Sequence, residues 1–300
     1  DKIWICDLQE ASISDPRVQH SITDVRSKII LDLEEFDPEK SWVFHLAAVH
    51  REPGHEREEY FDTNLPGSEN VNAFCEQFGF RNLFFTSSIA PYGRSRQSRD
   101  ESSRLYAETP YGISKALAEK MHQLWAEKEG ERRLVIARPA VIYGPGDPGN
   151  VLRMIRAIRK NRFFYPGDPS VIKGYGYIHG FLDSILFAMN HSDRVILYNY
   201  AEHPLLTLQQ MVQAVRTALG WKGFTPRVPL WALVCVAGFI HFVSRMVGKR
   251  FDIHPTRVRK AGFPTNIVPQ WLLDEGFEFR WNFRKSLEHW KSLSPRDFKS

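Results

Sequence analysis

Residues 82–93 read NLFFTSSIAPYG, and residues 110–115 read PYGISK. The apolar run Asn82–Thr86 predicts a short strand, which ends at a pair of serines. The second segment predicts a long helix over Pro110–Glu129, because proline is favoured at the first helical position. A further apolar run, Leu134–Ala137, predicts a strand that ends at an Arg-Pro pair. A strand, a helix and another strand in this order are typical of a parallel sheet covered by helices.

The most informative pair of residues is Tyr111 and Lys115, which lie four positions apart on the predicted helix and so share one face. A lysine ammonium beside a phenol lowers the tyrosine pKa from its ordinary value of about 10, so that the tyrosine can act as an acid or base near neutral pH. Many exposed helices carry this spacing on an ordinary polar face, so the pair alone indicates little. Ser88 adds weight, because a hydroxyl at the end of the preceding strand can bind a substrate oxygen. The alternative for Ser88 is a simple serine turn.

Other parts of the first half repeat the same alternation. Two apolar runs, Lys2–Cys6 and Trp42–Ala48, predict strands, and Asn64–Phe78 has helical spacing. These units together predict a parallel, doubly wound α/β sheet. Ligands bind such sheets at the carboxyl ends of the strands, so the residues just after each strand are the candidate site residues.

The second half has a different texture. Glycine, proline and aromatic residues are dense between Tyr143 and Tyr177, which predicts loops around a pocket. A helix near Phe181–Asn190, a strand at Val195–Tyr198 and a capped helix at Thr207–Leu219 follow. We therefore predict a sheet domain over residues 1–145 and a smaller substrate lobe over residues 146–300, with 176–200 returning to the sheet.

Composition excludes several classes of protein. The net charge of +5 and the pI of about 9.1 favour anionic ligands, but no nucleic-acid-binding motif accompanies the scattered charges, so we expect no nucleic-acid partner. The three cysteines are far apart in sequence, which is too few and too sparse for a disulfide framework or a zinc site. We expect no metal, and a reducing cytoplasm is the simplest compartment.

One uncharged segment stands apart from the rest of the chain. Val228–Ser244 contains no Asp, Glu, Lys or Arg, and Arg245, Lys249 and Arg250 follow it. The segment is slightly short for a bilayer span. It predicts either a buried helix or a helix that makes peripheral membrane contact through residues 228–245.

Taken together, the motifs resemble those of the extended short-chain dehydrogenase/reductases, and specifically of the NAD-dependent sugar epimerase/dehydratase family. Within it, the chain looks most like bacterial 4-epimerases of surface-polysaccharide assembly, one group of which acts on N-acetylglucosamine carried by undecaprenyl diphosphate. The segments that match the family are ICDL in the region of residues 3–8, TDVR at 23–26, HLAA at 45–48, DTNLPGSENV at 62–71, FTSSIAPYG at 85–93, PYGISK at 110–115, RPAVIYGPGD at 138–147 and GYIHGFLDSI at 176–185. The likeness to the 4-epimerases rests on FTSSIAPYG, GNVLRMIRAI at 149–158, KGYGYIHG at 173–180, and the uncharged segment from Val228 with the cations that follow it.

The resemblance implies a Rossmann-type fold with NAD as cofactor and a set of site residues. Asp7 would bind the adenosine ribose, and its carboxylate disfavours the 2′-phosphate of NADP. The implied catalytic residues are Ser88, Tyr111 and Lys115. The implied substrate residues are Ser88, Asn150 and Lys173, the last for a diphosphate, with a surface lysine as its alternative. The implied cofactor residues are Asp7, Leu8, Asp24, Val25, Leu46, Ala47, Ala48, Asn64, Ser87, Tyr111, Lys115, Pro139 and Ala140.

Two features depart from the family pattern. The family opens with a strand and a glycine-rich turn, whereas this sequence begins at what would be the second strand, so the resemblance implies that most of a βα unit precedes Asp1. Dehydratases of the family carry acidic residues just after the serine, and Ile89 and Ala90 cannot move protons. This argues for an epimerase or a simple oxidoreductase.

The resulting hypothesis is an NAD-dependent C4 epimerase of a diphosphate-linked hexose or N-acetylhexosamine, nucleotide- or undecaprenyl-linked, at the inner face of the cytoplasmic membrane or in the cytoplasm. Two alternatives stay open. One is a one-way sugar or hydroxysteroid-type dehydrogenase/reductase, and the other is a non-catalytic cofactor-sensing protein on the same fold. Dimers built on the helix after Pro110 are common in the resembled family, so we also expect a homodimer.

Overall fold

The computed structural model describes residues 2–10, 12–31, 36–51, 54–247 and 262–299, with the side chains of 239 and 241–247 left out. By the density of its internal contacts the chain divides into two compact units. The first contains residues 1–93, 105–138 and 191–197, and the second contains residues 94–104, 139–190 and 198–300. The boundary at residue 145 between a sheet domain and a substrate lobe stays a prediction.

The first unit alternates strands and helices as the sequence predicts. The strand Asn82–Thr86 has the predicted bounds, and the helix that begins at Pro110 ends two residues earlier than predicted. The elements in chain order are β1 (Ile3–Asp7), β2 (Val18–Ile22), β3 (Trp42–His45), α1 (Arg57–Phe78), β4 (Asn82–Thr86), α2 (Pro110–Glu127) and β5 (Arg133–Pro139).

The strands form parallel pairs. Leu83 of β4 lies opposite Val43 of β3 on one side and opposite Leu134 of β5 on the other. The sheet has the order β10–β5–β4–β3, where β10 is Val195–Tyr200. β1 and β2 pair in parallel and form a separate two-stranded sheet. A parallel sheet is buried on both faces, which is why β4 is a continuous apolar run rather than an alternating one.

Helix α1 begins earlier than the apolar spacing predicts. Glu56 is its N-cap, and the Glu59 side chain accepts a hydrogen bond from the backbone N–H of Glu56 at 2.9 Å, which completes a capping box. This polar first turn lies outside the apolar stripe, so the periodicity alone starts the helix at Asn64. The apolar stripe itself, which includes Val71 and Phe74, packs in the core with the strands.

The second unit contains a helix that the sequence analysis missed. Asn150–Arg159 falls in the segment predicted as loops, and that prediction is wrong for these ten residues. Val151, Ile155 and Ile158 recur at helical spacing and are buried, a signal that the surrounding glycines and aromatics obscured. The remaining elements are β6 (Val141–Tyr143), α3 (Asn150–Arg159), β7 (Tyr165–Pro166), β8 (Ile172–Lys173), β9 (Tyr175–Tyr177), α4 (Ile178–Asn190), β10 (Val195–Tyr200), β11 (Leu206–Thr207), α5 (Leu208–Leu219), β12 (Arg227–Val228), α6 (Leu230–Val247), α7 (Gln270–Asp274) and α8 (Phe283–Leu293).

The uncharged segment forms α6, and it is not buried throughout. Ala237 is buried, whereas Trp231 is 73% exposed and Val236 is 57% exposed. Within the described ranges, none of the helices has both the length and the apolar character that a membrane crossing requires. Lys249 and Arg250, the cations noted after this segment, lie outside the described residues.

We expect Leu134→Ala to lower the free energy of unfolding by about 2–5 kcal/mol, because the side chain is fully buried in β5 and its removal leaves a cavity. Urea unfolding followed by circular dichroism measures this. The matched control is Leu186→Ala on α4, where the leucine is 58% exposed and the expected change is within about 0.5 kcal/mol. Equal losses for the two variants would contradict the assigned core.

Candidate active site

Lys115 is a buried lysine on α2. Its side chain is 3% exposed, and Nζ donates a hydrogen bond to the carbonyl oxygen of Thr86, at the end of β4, at 2.8 Å. Nζ also lies 4.5 Å from the centre of the Phe85 ring. Burial lowers the pKa of Lys115 from 10.5 to about 7, and the nearby carboxylate of Glu119 partly opposes this shift. The ammonium therefore gains or loses its proton near neutral pH.

The first turn of α2 is packed directly against the loop that carries Ser88. Thr109 caps the helix by accepting a hydrogen bond from the backbone N–H of Gly112 at 3.2 Å, which fixes Tyr111 in the first turn. A Cβ on Gly112 would lie 2.7 Å from the carbonyl oxygen of Ala90, so only glycine permits this approach. Ser88 Oγ accepts a hydrogen bond from the backbone N–H of Ala90 at 3.2 Å. The structure thus brings the Ser88 loop to the start of the helix that bears Tyr111 and Lys115.

A buried ion pair between Arg138 and Glu119 holds the Ser88 loop and α2 together. Arg138 donates two hydrogen bonds to Glu119, from Nε at 2.8 Å and from Nη2 at 2.5 Å. Ser87 Oγ donates to the same carboxylate, and Arg138 Nη1 donates to the Tyr92 hydroxyl at 2.8 Å. Because these side chains come from β4, α2 and β5, the pair ties the ends of two strands to the helix that carries Lys115.

The family resemblance implies that Ser87 binds the cofactor, and the sequence does not single out Glu119 or Tyr92. The sequence contains one indication that Glu119 lies near the site, because Glu119 follows Lys115 by four residues and shares its helical face. Its pairing with Arg138 depends on tertiary contacts that no local spacing reveals. In the structure the Ser87 hydroxyl is bound to Glu119.

Asn64 is buried in α1 and connects three segments. Its Oδ1 accepts a hydrogen bond from the backbone N–H of Val49 at 2.8 Å, and its Nδ2 donates to Ser114 Oγ at 2.9 Å. Asn64 therefore holds the loop after β3 against α2, one residue before Lys115.

A second set of buried polar contacts connects β3 to the helices α2 and α1. His45 Nδ1 and His122 Nε2 are 3.0 Å apart, and His122 Nδ1 is 2.7 Å from Asn72 Oδ1. Burial lowers the pKa of His45 to about 3 and that of His122 well below its ordinary value, so both imidazoles stay neutral in the working pH range. Neither residue was predicted, and a neutral histidine pair here is a structural contact of β3 with α2.

The residues predicted to bind the cofactor follow the carboxyl ends of β1, β2 and β3. Asp7 ends β1, and its carboxylate accepts a hydrogen bond from the backbone N–H of Gln9 at 3.0 Å. Asp24 is ion-paired with Arg26 at 2.6 Å. The apolar side chains of Leu8 and Leu46 are 63% and 61% exposed. The other predicted positions on these loops are Val25, which lies against Gly67, and Ala47 and Ala48, which follow Leu46.

These residues fit a dinucleotide. A carboxylate at the end of β1 can accept hydrogen bonds from ribose hydroxyls. Of the three N–H donors of the Lys115 ammonium, one is used by Thr86 within the described chain, which leaves two for hydroxyl groups of a ligand. The exposed leucines offer apolar surface to a base.

The remaining predicted residues belong to the second unit. Pro139 ends β5, and the backbone N–H of Ala140 donates to the carbonyl oxygen of Tyr200 at 2.8 Å. Asn150 is the first residue of α3 and is exposed. Lys173 is 6% exposed, its Nζ donates to the carbonyl oxygen of Phe263 at 2.5 Å, and burial lowers its pKa to about 8. The alternative of a surface lysine is therefore wrong.

Comparison with known proteins identifies the family. The model of the NAD dependent epimerase/dehydratase family matches residues 22–200. The chain belongs to this family. The predicted family, the enzyme class and NAD as cofactor are thereby confirmed.

Relatives and solved structures agree with this assignment. The chain is 31% identical to the N-acetyl-alpha-D-glucosaminyl-diphospho-ditrans,octacis-undecaprenol 4-epimerase of Escherichia coli O157:H7, over 89% of this chain and 81% of that protein. It is 27% identical to a UDP-glucose 4-epimerase of Vibrio cholerae, over 73% of this chain and 68% of that protein. The UDP-glucose 4-epimerase of Thermotoga maritima has the same fold, with a TM-score of 0.70 at 16% identity, over 99% and 92% of the two chains. The predicted Rossmann-type α/β fold is confirmed.

We expect Lys115→Met to stabilise the protein more at low pH than at high pH. The folded-state pKa of Lys115, about 7, lies below the ordinary 10.5, so the unfolded chain binds more protons between these values. The loss in free energy of unfolding that comes from burying the ammonium is complete below about pH 7, and it decreases to zero as the pH rises toward the ordinary lysine pKa of 10.5. Differential scanning fluorimetry should therefore show the largest gain in Tm over wild type at the acidic end. Lys120→Met, at an exposed position of the same helix, is the control, and parallel curves for Lys115→Met and wild type would contradict the burial.

We expect Glu119→Gln to lower the free energy of unfolding by about 3–5 kcal/mol, because it leaves the buried Arg138 guanidinium without a counter-charge. Glu39→Gln is the matched control, since its surface pair with Arg81 is worth about 0–1 kcal/mol. The double variant Glu119→Met/Arg138→Met should recover much of the loss. A small effect of Glu119→Gln in urea unfolding would show that the pair is not buried as described.

Proposed function

We propose that the protein interconverts the C4 epimers of a hexose or N-acetylhexosamine linked to a diphosphate, in the biosynthesis of a surface polysaccharide. The observation that carries the proposal is the packing of the Ser88 loop on the first turn of α2, next to Tyr111 and the buried Lys115. The 31% identity to an undecaprenyl-diphosphate N-acetylglucosamine 4-epimerase supports the reaction.

The residues divide the proton chemistry among them. Tyr111, as the phenolate, takes the proton from the 4-hydroxyl of the sugar and later returns it. Ser88 donates a hydrogen bond to the same oxygen and can pass the proton. Lys115 stabilises the phenolate electrostatically and holds a cofactor hydroxyl through its remaining donors. NAD, when bound, supplies the hydride acceptor and donor. The 4-keto sugar turns over within the site between the two transfers, so hydride returns to its opposite face.

The residues after Ser88 support epimerisation over dehydration. Ile89 and Ala90 carry no acid, and Ala90 is packed under Gly112 at the start of α2. A dehydratase needs a group here that removes a proton from the carbon next to the keto group, and an alkyl side chain cannot do this.

Undecaprenyl diphosphate is the carrier of the sugar that we favour. With this carrier we propose peripheral membrane contact through residues 228–245, at the inner face of the cytoplasmic membrane. Trp231 and Val236 of α6 are exposed, as such contact requires. We also propose a homodimer built on α2. Leu117 and Leu124 lie seven residues apart on one face of this helix and are 44% and 61% exposed, which supports a covered apolar stripe.

A second candidate is a one-way dehydrogenase or reductase. It is favoured by a match of 26% identity to a 2-alkyl-3-oxoalkanoate reductase of Shewanella oneidensis, over 72% of this chain and 59% of that protein. A one-way enzyme consumes or produces NADH in proportion to turnover, whereas an epimerase does not.

The assay that tests the proposal offers UDP-N-acetylglucosamine and undecaprenyl-diphosphate N-acetylglucosamine in parallel to full-length protein with NAD. We expect formation of the 4-epimer from the lipid-linked sugar, without net NADH. Tyr111→Phe should lower kcat by roughly 10²–10⁴-fold and leave NAD binding intact, because it removes only the hydroxyl that moves the proton.

Tyr165→Phe, in the second unit, makes the same chemical change outside the proposed catalytic set and should retain activity. Full turnover by Tyr111→Phe would refute the proton-transfer role. Conversion of the nucleotide sugar alone would assign the soluble carrier, and NADH in proportion to product would favour the one-way oxidoreductase.

A further inference from the structure

Five cationic side chains surround one cavity in the second unit. The cavity has a volume of about 340 Å³, and we call it the basic cavity. Three of the cations are on or just after the last turn of α3, and two are near the end of the chain. The lining residues are Arg156, Arg159, Lys160, Arg296 and Lys299.

The protein neutralises little of this charge. Arg156 Nε donates to the carbonyl oxygen of Asp297 at 3.3 Å, and Arg159 Nη1 donates to that of Phe298. A guanidinium has five N–H donors, so each keeps most of them within the described chain. The Asp297 carboxylate is engaged by Trp290 Nε1 at 2.8 Å, and no ion pair joins any of the five cations to a described carboxylate.

The helix terminus accounts for only part of the arrangement. The carboxyl end of α3 is equivalent to about half a negative charge, which attracts cations in its last turn. This leaves most of five positive charges uncompensated around one cavity, and like charges at close range repel one another. An anion in the cavity would relieve this repulsion.

The geometry suits a phosphate group. Guanidinium groups bind phosphate oxygens through paired hydrogen bonds, and lysines add point charges. The volume lies at the lower end of the range of about 300–1,000 Å³ for small-molecule sites, which is enough for a phosphate-bearing headgroup.

One aromatic side chain, that of the half-buried Trp221, adjoins the basic cavity, and two exposed aromatic residues follow it along the chain. The Arg159 guanidinium lies 5.8 Å from the centre of the Trp221 ring. The chain continues from Trp221 to Phe224, which is 80% exposed, and then through β12, which pairs with β7, to Trp231 at the start of α6, which is 73% exposed. Large aromatic side chains beside clustered cations are typical of surfaces that bind the interfacial layer of a membrane.

We propose that the basic cavity binds the phosphate headgroup of an anionic phospholipid, and that Phe224 and Trp231 enter the interfacial layer beside it. The inference rests on the membrane contact in the proposed function. It adds a site that binds anionic phospholipids in preference to neutral ones. Charge complementarity decides the partner, because the cytoplasmic leaflet is anionic and attracts each surface cation by about 1 kcal/mol.

The test is flotation of full-length protein with vesicles of phosphatidylcholine containing one third phosphatidylglycerol, compared with pure phosphatidylcholine. Arg296→Gln/Lys299→Gln removes two lining cations that make no described side-chain bond. We expect roughly thirtyfold weaker binding to the acidic vesicles. Phe224→Ser should weaken binding as well, and added salt should weaken wild type toward the level of the double variant.

The matched control is Lys40→Gln/Lys128→Gln, which removes two exposed lysines of the first unit and should bind like wild type. Three results would overturn the inference: equal binding to both vesicle types, unchanged binding by the Arg296/Lys299 variant, or an equal loss in the control. A fourth result would also overturn it: wild type binds inorganic pyrophosphate but not vesicles, and the Arg296/Lys299 variant loses the pyrophosphate binding. That result would assign the basic cavity to a soluble anion. The 4-epimer assay reads the proposed function separately, so a protein that epimerises but does not float loses only this inference.

Discussion

The ion pair between Arg138 and Glu119 is the interaction on which the candidate site depends. Two charges removed from water are costly unless they meet each other with good geometry and further hydrogen bonds. Here Ser87 and Tyr92 supply those bonds, so the pair is fully satisfied inside the first unit. Because it joins the ends of β4 and β5 to α2, it fixes the helical face on which Lys115 lies.

Lys115 is buried on the helix that the Arg138–Glu119 ion pair holds in place. A buried ammonium with one hydrogen-bond partner among the described residues destabilises the folded state, as its lowered pKa of about 7 indicates. In the proposed mechanism the remaining donors bind a ligand, and the same burial increases the effect of the charge on Tyr111. The nearby Glu119 carboxylate limits the shift, so the ion pair supports the lysine electrostatically as well as sterically.

The second unit contributes surfaces of a different kind. Its cations gather around the basic cavity, its exposed aromatics follow the same chain path, and α6 leaves apolar side chains uncovered. These features are the basis of the proposed membrane contact and of the proposed lipid-linked substrate.

Features that depend on neighbours along the chain can be predicted from the amino-acid sequence. Asn82–Thr86 is a strand because three apolar residues and a β-favouring threonine follow one another, and Tyr111 and Lys115 share a face because they are one helical turn apart. Family motifs gave the cofactor, and they also gave the catalytic set, which stays a prediction. Tertiary structure alone decided the burial of Lys115 and Lys173, the pairing of Glu119 with Arg138, and the meeting of Arg156 with residues near the end of the chain. The physical reason is that charge, burial and pKa depend on groups brought together by folding across long separations, and local periodicity does not contain that information.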